Sequence, residues 1–127
     1  MTIDPRSWSM SEAALQESIR KMCDGLALTV QHVENSLQGR VWVKGWPDLE
    51  IIGTTIIYRE LKRQSGSPTA DQRRIGAIIQ RAHGDWAVWR PDDLYDGTIA
   101  RQLTAISRLS ISVFMSEDIQ RIEGAAP

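Results

Sequence analysis

Cysteine is nearly absent: Cys23 stands alone among 127 residues. An intramolecular disulfide is therefore excluded, and so is a zinc site built on several thiolates. Cys23 falls on the apolar side of a predicted helix and reads as a small core residue. Long apolar runs are missing too, and none approaches the roughly 20 residues that span a bilayer. The N-terminal MTIDPRSWSMSE lacks the charged-then-apolar order of a secretory leader, so an intracellular, cytoplasmic protein is expected. A net charge of only -1 gives no whole-molecule argument for a polyanionic partner. Internal repeats and low-complexity segments are also lacking.

What remains is ordinary for a globular protein, with 42% hydrophobic and 24% charged residues in a length suited to one domain. Charge is uneven, however. Residues 59–81 carry Arg59, Lys62, Arg63, Arg73, Arg74 and Arg81 against Glu60 and Asp71, a local excess of four positive charges. Such a face suits phosphate, although solvated helix surfaces share the pattern. Residues 1–10 read as a loose arm in which Trp8 is a candidate anchor. Residues 9–24 read as a helix with Leu15, Ile19, Met22 and Cys23 on one stripe and Gly25 as its stop. Residues 26–33 follow as a strand, and 35–45 as a long loop or short extra strand. Strands over 48–52 and 56–62 flank Gly53-Thr54-Thr55. A helix over 69–83, a strand over 86–89, and a helix running from an Asp92 cap to about 108 complete the order. Gly97 weakens that last helix, and a further helix over 116–123 is indicated. The outcome is an α/β domain, with one central mixed sheet flanked by helices.

The hairpin carries the chemistry. With Gly53-Thr54-Thr55 as a three-residue loop, Ile52 pairs with Ile56 and Asp48 lies opposite Glu60. Lys62 shares that face because side chains alternate. A two-residue loop would send the two acids to opposite faces. The other face then holds Leu49, Ile51, Ile57 and Leu61, a sensible core, together with Arg59, which this pattern leaves unexplained. Two carboxylates on adjacent strands suit a hard cation such as Mg²⁺, and a lysine beside them can orient an attacking water. The plain alternative is a surface ion pair of Glu60 and Lys62 at a strand end.

The segments GWPDLEI, IIYRELK, TADQRRIGAIIQRAHG and WAVWRPDDL, with Ser11-Glu12-Ala13-Ala14-Leu15-Gln16 upstream, resemble the VRR-NUC (virus-type replication-repair nuclease) group of the PD-(D/E)-x-K nucleases. The resemblance covers about residues 11–103. It implies a restriction-endonuclease-like core of helix, three strands, helix and strand, spanning 11–108 between the arm at 1–10 and an extension at 109–127. Asp48 and Glu60 would hold Mg²⁺ or Mn²⁺ with the Leu61 backbone carbonyl, and Lys62 would be the catalytic lysine. Gln72 would match the glutamine opening the next helix, and Glu12 the acid of the first helix, reaching the metal directly or through water. His32 would match a histidine near the end of the first strand. Arg59 departs from the apolar residue usual before the glutamate.

The resemblance further implies cleavage of branched DNA, a Holliday junction or flap, in a bacterial or phage-infected cell. Symmetric cutting would need a homodimer. The extension, with Leu109, Ile111, Val113, Phe114 and Met115, is a candidate dimer element with a frayed end, or core. A less selective endonuclease or nickase, and a non-catalytic DNA-binding protein of the same fold, stand as alternatives. Two residues keep competing roles. Glu12 also fits a capping box with Ser9, and Gln72 one with Thr69. His32 and His83 have ordinary structural explanations, as a strand histidine and a helix C-terminal cation. Arg40, Lys44, Arg63, Arg73 and Arg74 are candidate DNA-phosphate contacts, as is His32 in the DNA-facing set, while Trp42 or Trp46 could stack on bases or belong to the core.

Overall fold

The computed structural model describes residues 2–33 and 42–109. Arg40, the extension beyond Leu109 and the helix expected over 116–123 fall outside the described residues. The elements are a short 3-10 helix, α1 (Glu12–Gly25), β1 (Thr29–His32), β2 (Leu49–Ile52), β3 (Ile56–Leu61), α2 (Ala70–Arg81), β4 (Asp85–Trp89), α3 (Pro91–Tyr95) and α4 (Thr98–Ile106). The four strands lie in sequence order, β1-β2-β3-β4. The first two pairings are antiparallel and the β3–β4 pairing is parallel, with α2 as the crossover. This is the mixed sheet with flanking helices that the sequence predicts. No described helix is long and apolar enough to cross a membrane.

Alternation along the hairpin sorts the two faces. Leu49, Ile51, Ile57 and Leu61 point to one side, where Leu15, Ile19 and Cys23 of α1 and Ile99, Leu103 and Ile106 of α4 close over them. Each such burial contributes roughly 1.5–3 kcal/mol relative to exposure. Burial also pushes the Cys23 thiol up to about 11, in keeping with an inert core residue. The other face meets α2. There Gly76 lets the helix lie against the Trp86 ring, since a Cβ at that position would sit 2.5 Å from the indole.

The Gly53-Thr54-Thr55 loop pairs Ile52 with Ile56, as the parity of the hairpin requires. Gly53 is needed for close approach: a Cβ there would lie 2.0 Å from the Ile106 carbonyl oxygen. Thr54 N–H donates to that carbonyl (2.8 Å), so the loop is tied to the end of α4.

Several sequence expectations are corrected. The N-terminal residues are not a loose arm. Pro5–Ser9 forms a 3-10 helix that packs on α3, with Ser7 buried and the Arg6 guanidinium over the Tyr95 ring at 4.2 Å. Trp8 is not its anchor, being 56% exposed. α1 starts at Glu12 rather than residue 9, because Ser11 supplies the cap by accepting from Ala14 N–H (3.1 Å). The Ser9–Glu12 capping box is therefore absent, and Ser9 Oγ donates instead to the Arg6 carbonyl. β1 is shorter than expected because residues 26–28 close the helix end, with Leu26 and Leu28 N–H both returning to the Cys23 carbonyl. The helix expected from 92 to 108 is two helices. Gly97 at φ +87 breaks it, and Arg90, not Asp92, is the cap residue of α3.

Arg59 has a clear account. It is buried (2% exposed) on the α4 face, and its guanidinium is fully engaged. Nη1 donates to the carbonyls of Tyr58 and Asp85 (2.9 Å each) and meets Asp85 Oδ1 at 3.0 Å. Nε and Nη2 donate to Gln102 Oε1 at 3.3 and 3.0 Å, and the cation lies 5.0 Å from the centre of the Trp89 ring. The same Gln102 oxygen accepts from Trp89 Nε1 (2.9 Å). Arg59 thus bolts β3 to β4 and α4, a polar network that stands in for an apolar core residue.

Candidate active site

Pro47 is buried and has no N–H to give, so the chain enters the sheet only at Leu49. Just before it, Trp46 is locked by donation to Glu50 Oε1 (2.8 Å) and by an edge contact with Tyr58. Asp48, between these anchors, spans two strands. Its backbone carbonyl accepts from Val33 N–H beyond β1 (2.8 Å), and its Oδ2 accepts from Leu61 N–H at the end of β3 (2.8 Å). A side chain has replaced a ladder carbonyl at the point where β2 and β3 part.

Glu60 follows Arg59, the partner of Leu49, so the register carried one residue beyond the paired positions sets it across from Asp48. It is 1% exposed. Oε1 accepts from Gln72 Nε2 at 2.8 Å, with Lys62 Nζ 3.9 Å away. Oε2 is buried with no hydrogen-bond partner. The carboxyl is pushed up to about 9. Burial is the largest cause, followed by the adjoining Asp48 carboxyl. Lys62 opposes the shift, and Glu12 adds to it. Burial and the facing acid thus favour the protonated form of Glu60.

Gln72 caps α2 and contacts Glu60 with the same side chain. Its Oε1 accepts from Thr69 N–H (2.8 Å) while its backbone N–H donates to Thr69 Oγ1 (3.2 Å), a complete capping box. The amide nitrogen left over is what reaches Glu60. Capping fixes the side chain, and the fixed side chain addresses the acid.

The donor set suits a hard divalent cation. Two adjoining carboxylates are present, one oxygen of Glu60 is buried and unpaired, and both groups offer oxygen ligands. No group of three or more His, Cys, Asp or Glu side chains stands together as a metal site among the described residues. Glu12, exposed at the first position of α1, acts on Glu60 only through its charge. His32 is not brought to the pair. It lies opposite Leu49 and shares that residue's face, beside Gln16 and Arg20. Lys44, Arg63, Arg73 and Arg74 are exposed, on the turn before Asp48, on the loop after Lys62 and on the first turns of α2.

Sequence reasoning missed two supports. One is the Gln102 acceptor, whose signal was a polar residue set among Ile99, Leu103 and Ile106 and facing an inward arginine. The other is Arg90, whose Nε and Nη2 donate to the Gly66 carbonyl at 3.1 and 3.0 Å. Together with Asp92 N–H donating to Gln64 Oε1 (2.8 Å), it holds the loop that follows Lys62. A cavity of about 500 Å³ lies apart from the carboxylates. It lies along α2 and is lined by Val43, Trp46, Tyr58 and Ile78 among others.

The architecture is that of a restriction-endonuclease-like α/β fold. Among solved structures, a VRR_NUC domain matches with a TM-score of 0.54 at 22% identity, over 68% of this chain and 92% of that one. The fold of this chain is therefore the VRR_NUC domain fold. No family model matches the chain, and no curated protein matches it.

Proposed function

We propose that this protein is a metal-dependent DNA endonuclease that hydrolyses phosphodiester bonds, acting on branched DNA such as a Holliday junction or flap. The observation that carries the reading is the buried, unpaired Glu60 oxygen beside Asp48 and Lys62, on a VRR_NUC fold. Asp48, Glu60 and the Leu61 carbonyl would hold Mg²⁺ or Mn²⁺, with Glu12 placed to reach it through water. The Leu61 carbonyl suits this role because its N–H donates to Asp48, and in extended chain the carbonyl of the same residue points to the same side. Such a cation supplies charge neutralisation at the scissile phosphate and a more acidic bound water.

The chain's own residues do the rest. Lys62, 16% exposed beside Glu60, orients the attacking water and offsets charge developing on the phosphorus oxygens. Gln72 holds Glu60 in a single orientation. Lys44, Arg63, Arg73 and Arg74 contact DNA phosphates and position the strand without reading its sequence. Cutting both strands of a junction symmetrically requires a second active site, so the working form is a homodimer.

The test is a cleavage panel of four-way junction, flap, duplex and single strand, with Mg²⁺, Mn²⁺ or chelator. Metal-dependent cutting of the junction or flap, lost in Asp48→Ala and Lys62→Ala, supports the reading. Cutting of every DNA alike would leave a nuclease without structural selectivity. No cutting of any substrate would leave a DNA-binding protein of nuclease fold.

A further inference from the structure

Trp42 is an unusual residue for a protein surface. Its side chain is 100% exposed among the described residues, whereas Trp89 is buried in the core and Trp46 is tied down by Glu50 and Tyr58. Tryptophan carries a large apolar area, so full exposure forgoes a substantial gain from burial.

The backbone that carries the ring is anchored close by, at Gly45. Residues 42–45 form a tight turn that ends at Gly45, with φ +87. Gly45 lies so close to α2 that a Cβ there would be 2.5 Å from the Asp71 carbonyl carbon and 2.7 Å from Gln72 N. The turn therefore rests on the capping box whose Gln72 reaches Glu60. On the other side it runs through the locked Trp46 and buried Pro47 into Asp48. The turn that follows Trp42 thus shares its two anchors with the carboxylate pair. Lys44 stands exposed two residues further on, and α2, against which Gly45 rests, carries the exposed Arg73 and Arg74. Val43, next in sequence to Trp42, and Arg74 line the apolar cavity along α2. An exposed aromatic ring combined with cations is how proteins without sequence preference grip single-stranded nucleic acid, since every base offers a π-face.

We infer that Trp42 is a stacking platform for an unpaired nucleobase of the DNA strand being cut, so that the enzyme engages DNA where duplex meets single strand. The inference rests on the nuclease reading and specifies its substrate. The distance limits where cleavage falls. Six Cα–Cα steps separate Trp42 from Asp48, a span of at most about 22 Å. At about 3.4 Å per nucleotide, the stacked base lies within roughly six nucleotides of the scissile phosphate.

The experiment uses the full chain in chelator, so that binding is read without cleavage. The probes are a duplex with a single-stranded flap carrying 2-aminopurine at its first unpaired position, and the same sequence fully paired. Wild type should bind the flap more tightly than the duplex and quench the probe. Trp42→Ala should lose about tenfold on the flap and the quenching with it, with duplex binding unchanged. Trp42→Phe should keep most of both. Because the ring is fully exposed, melting temperatures should agree among the three proteins. Equal loss on both DNAs, or no loss on either, overturns the platform while leaving the nuclease reading intact. A change in oligomeric state of Trp42→Ala without DNA would make the ring a protein contact and overturn it as well. No binding to any DNA by wild type would overturn both readings.

Discussion

Replacing Glu60 by glutamine should stabilise the metal-free protein, and by an amount that grows with pH. The glutamine keeps the shape, accepts from Gln72 and can donate to Asp48, so it imitates the protonated acid. In the folded, metal-free chain the Glu60 carboxyl is pushed up to about 9, mainly by burial and then by Asp48. An acid raised in this way binds its proton more tightly folded than unfolded. Its contribution is complete below the ordinary glutamate value and is lost as pH rises towards about 9. One proton corresponds to a slope of about 1.4 kcal/mol per pH unit across that window. Wild type in chelator should therefore lose roughly 3 kcal/mol between about pH 6 and pH 8 relative to Glu60→Gln. Urea unfolding of both proteins at several pH values reads this directly, and taking the difference cancels groups common to both. Excess Mg²⁺ should remove most of the wild-type slope. Metal bound only to the folded chain contributes about 3 kcal/mol at one hundred times its dissociation constant. The variant should show little of that gain. Parallel pH profiles in chelator would refute the reasoning, because they would mean Glu60 is solvated or already compensated.

Other predictions probe single links. Lys62→Met should lower cleavage by about 10²-fold or more while shifting stability by less than about 1 kcal/mol, since the lysine acts on the reaction and not on packing. Gln72→Glu preserves the acceptor for Thr69 N–H but faces Glu60 with an oxygen where a donor stood. Helix content by circular dichroism should hold, while activity falls at least about tenfold, the loss of one charge-assisted hydrogen bond. Gln102→Leu strands donors of Arg59 and Trp89 in the interior and should cost about 2–4 kcal/mol in denaturant unfolding. Gly76→Ala drives a methyl into the Trp86 ring and should cost about 1–3 kcal/mol, with a shift in tryptophan emission.

Much of this protein could be read from local pattern. Alternating apolar residues and a three-residue loop sufficed to pair Ile52 with Ile56, because a one-residue slip would have turned Leu49 and Ile51 out to solvent. Periodicity likewise located α1, α2 and the inward stripe of α4. The adjacency of Asp48 and Glu60 follows from that pairing alone, since cross-strand neighbours are set by register.

Other features lay beyond any local pattern. Arg59 on a core face has no explanation in the hairpin pattern, because its partners Asp85 and Gln102 come from β4 and α4, 26 and 43 residues away. The seating of Arg6 on Tyr95, and of Gly45 against Asp71, likewise joins segments far apart in sequence. The state of Glu60 belongs to the same group. Its identity and face are written in the hairpin, but its burial depends on α2 closing over the sheet and delivering Gln72. Register is a property of neighbouring residues, and so the sequence determined it. Desolvation and the pairing of buried charge depend on everything packed around a group, and only the tertiary structure decided them.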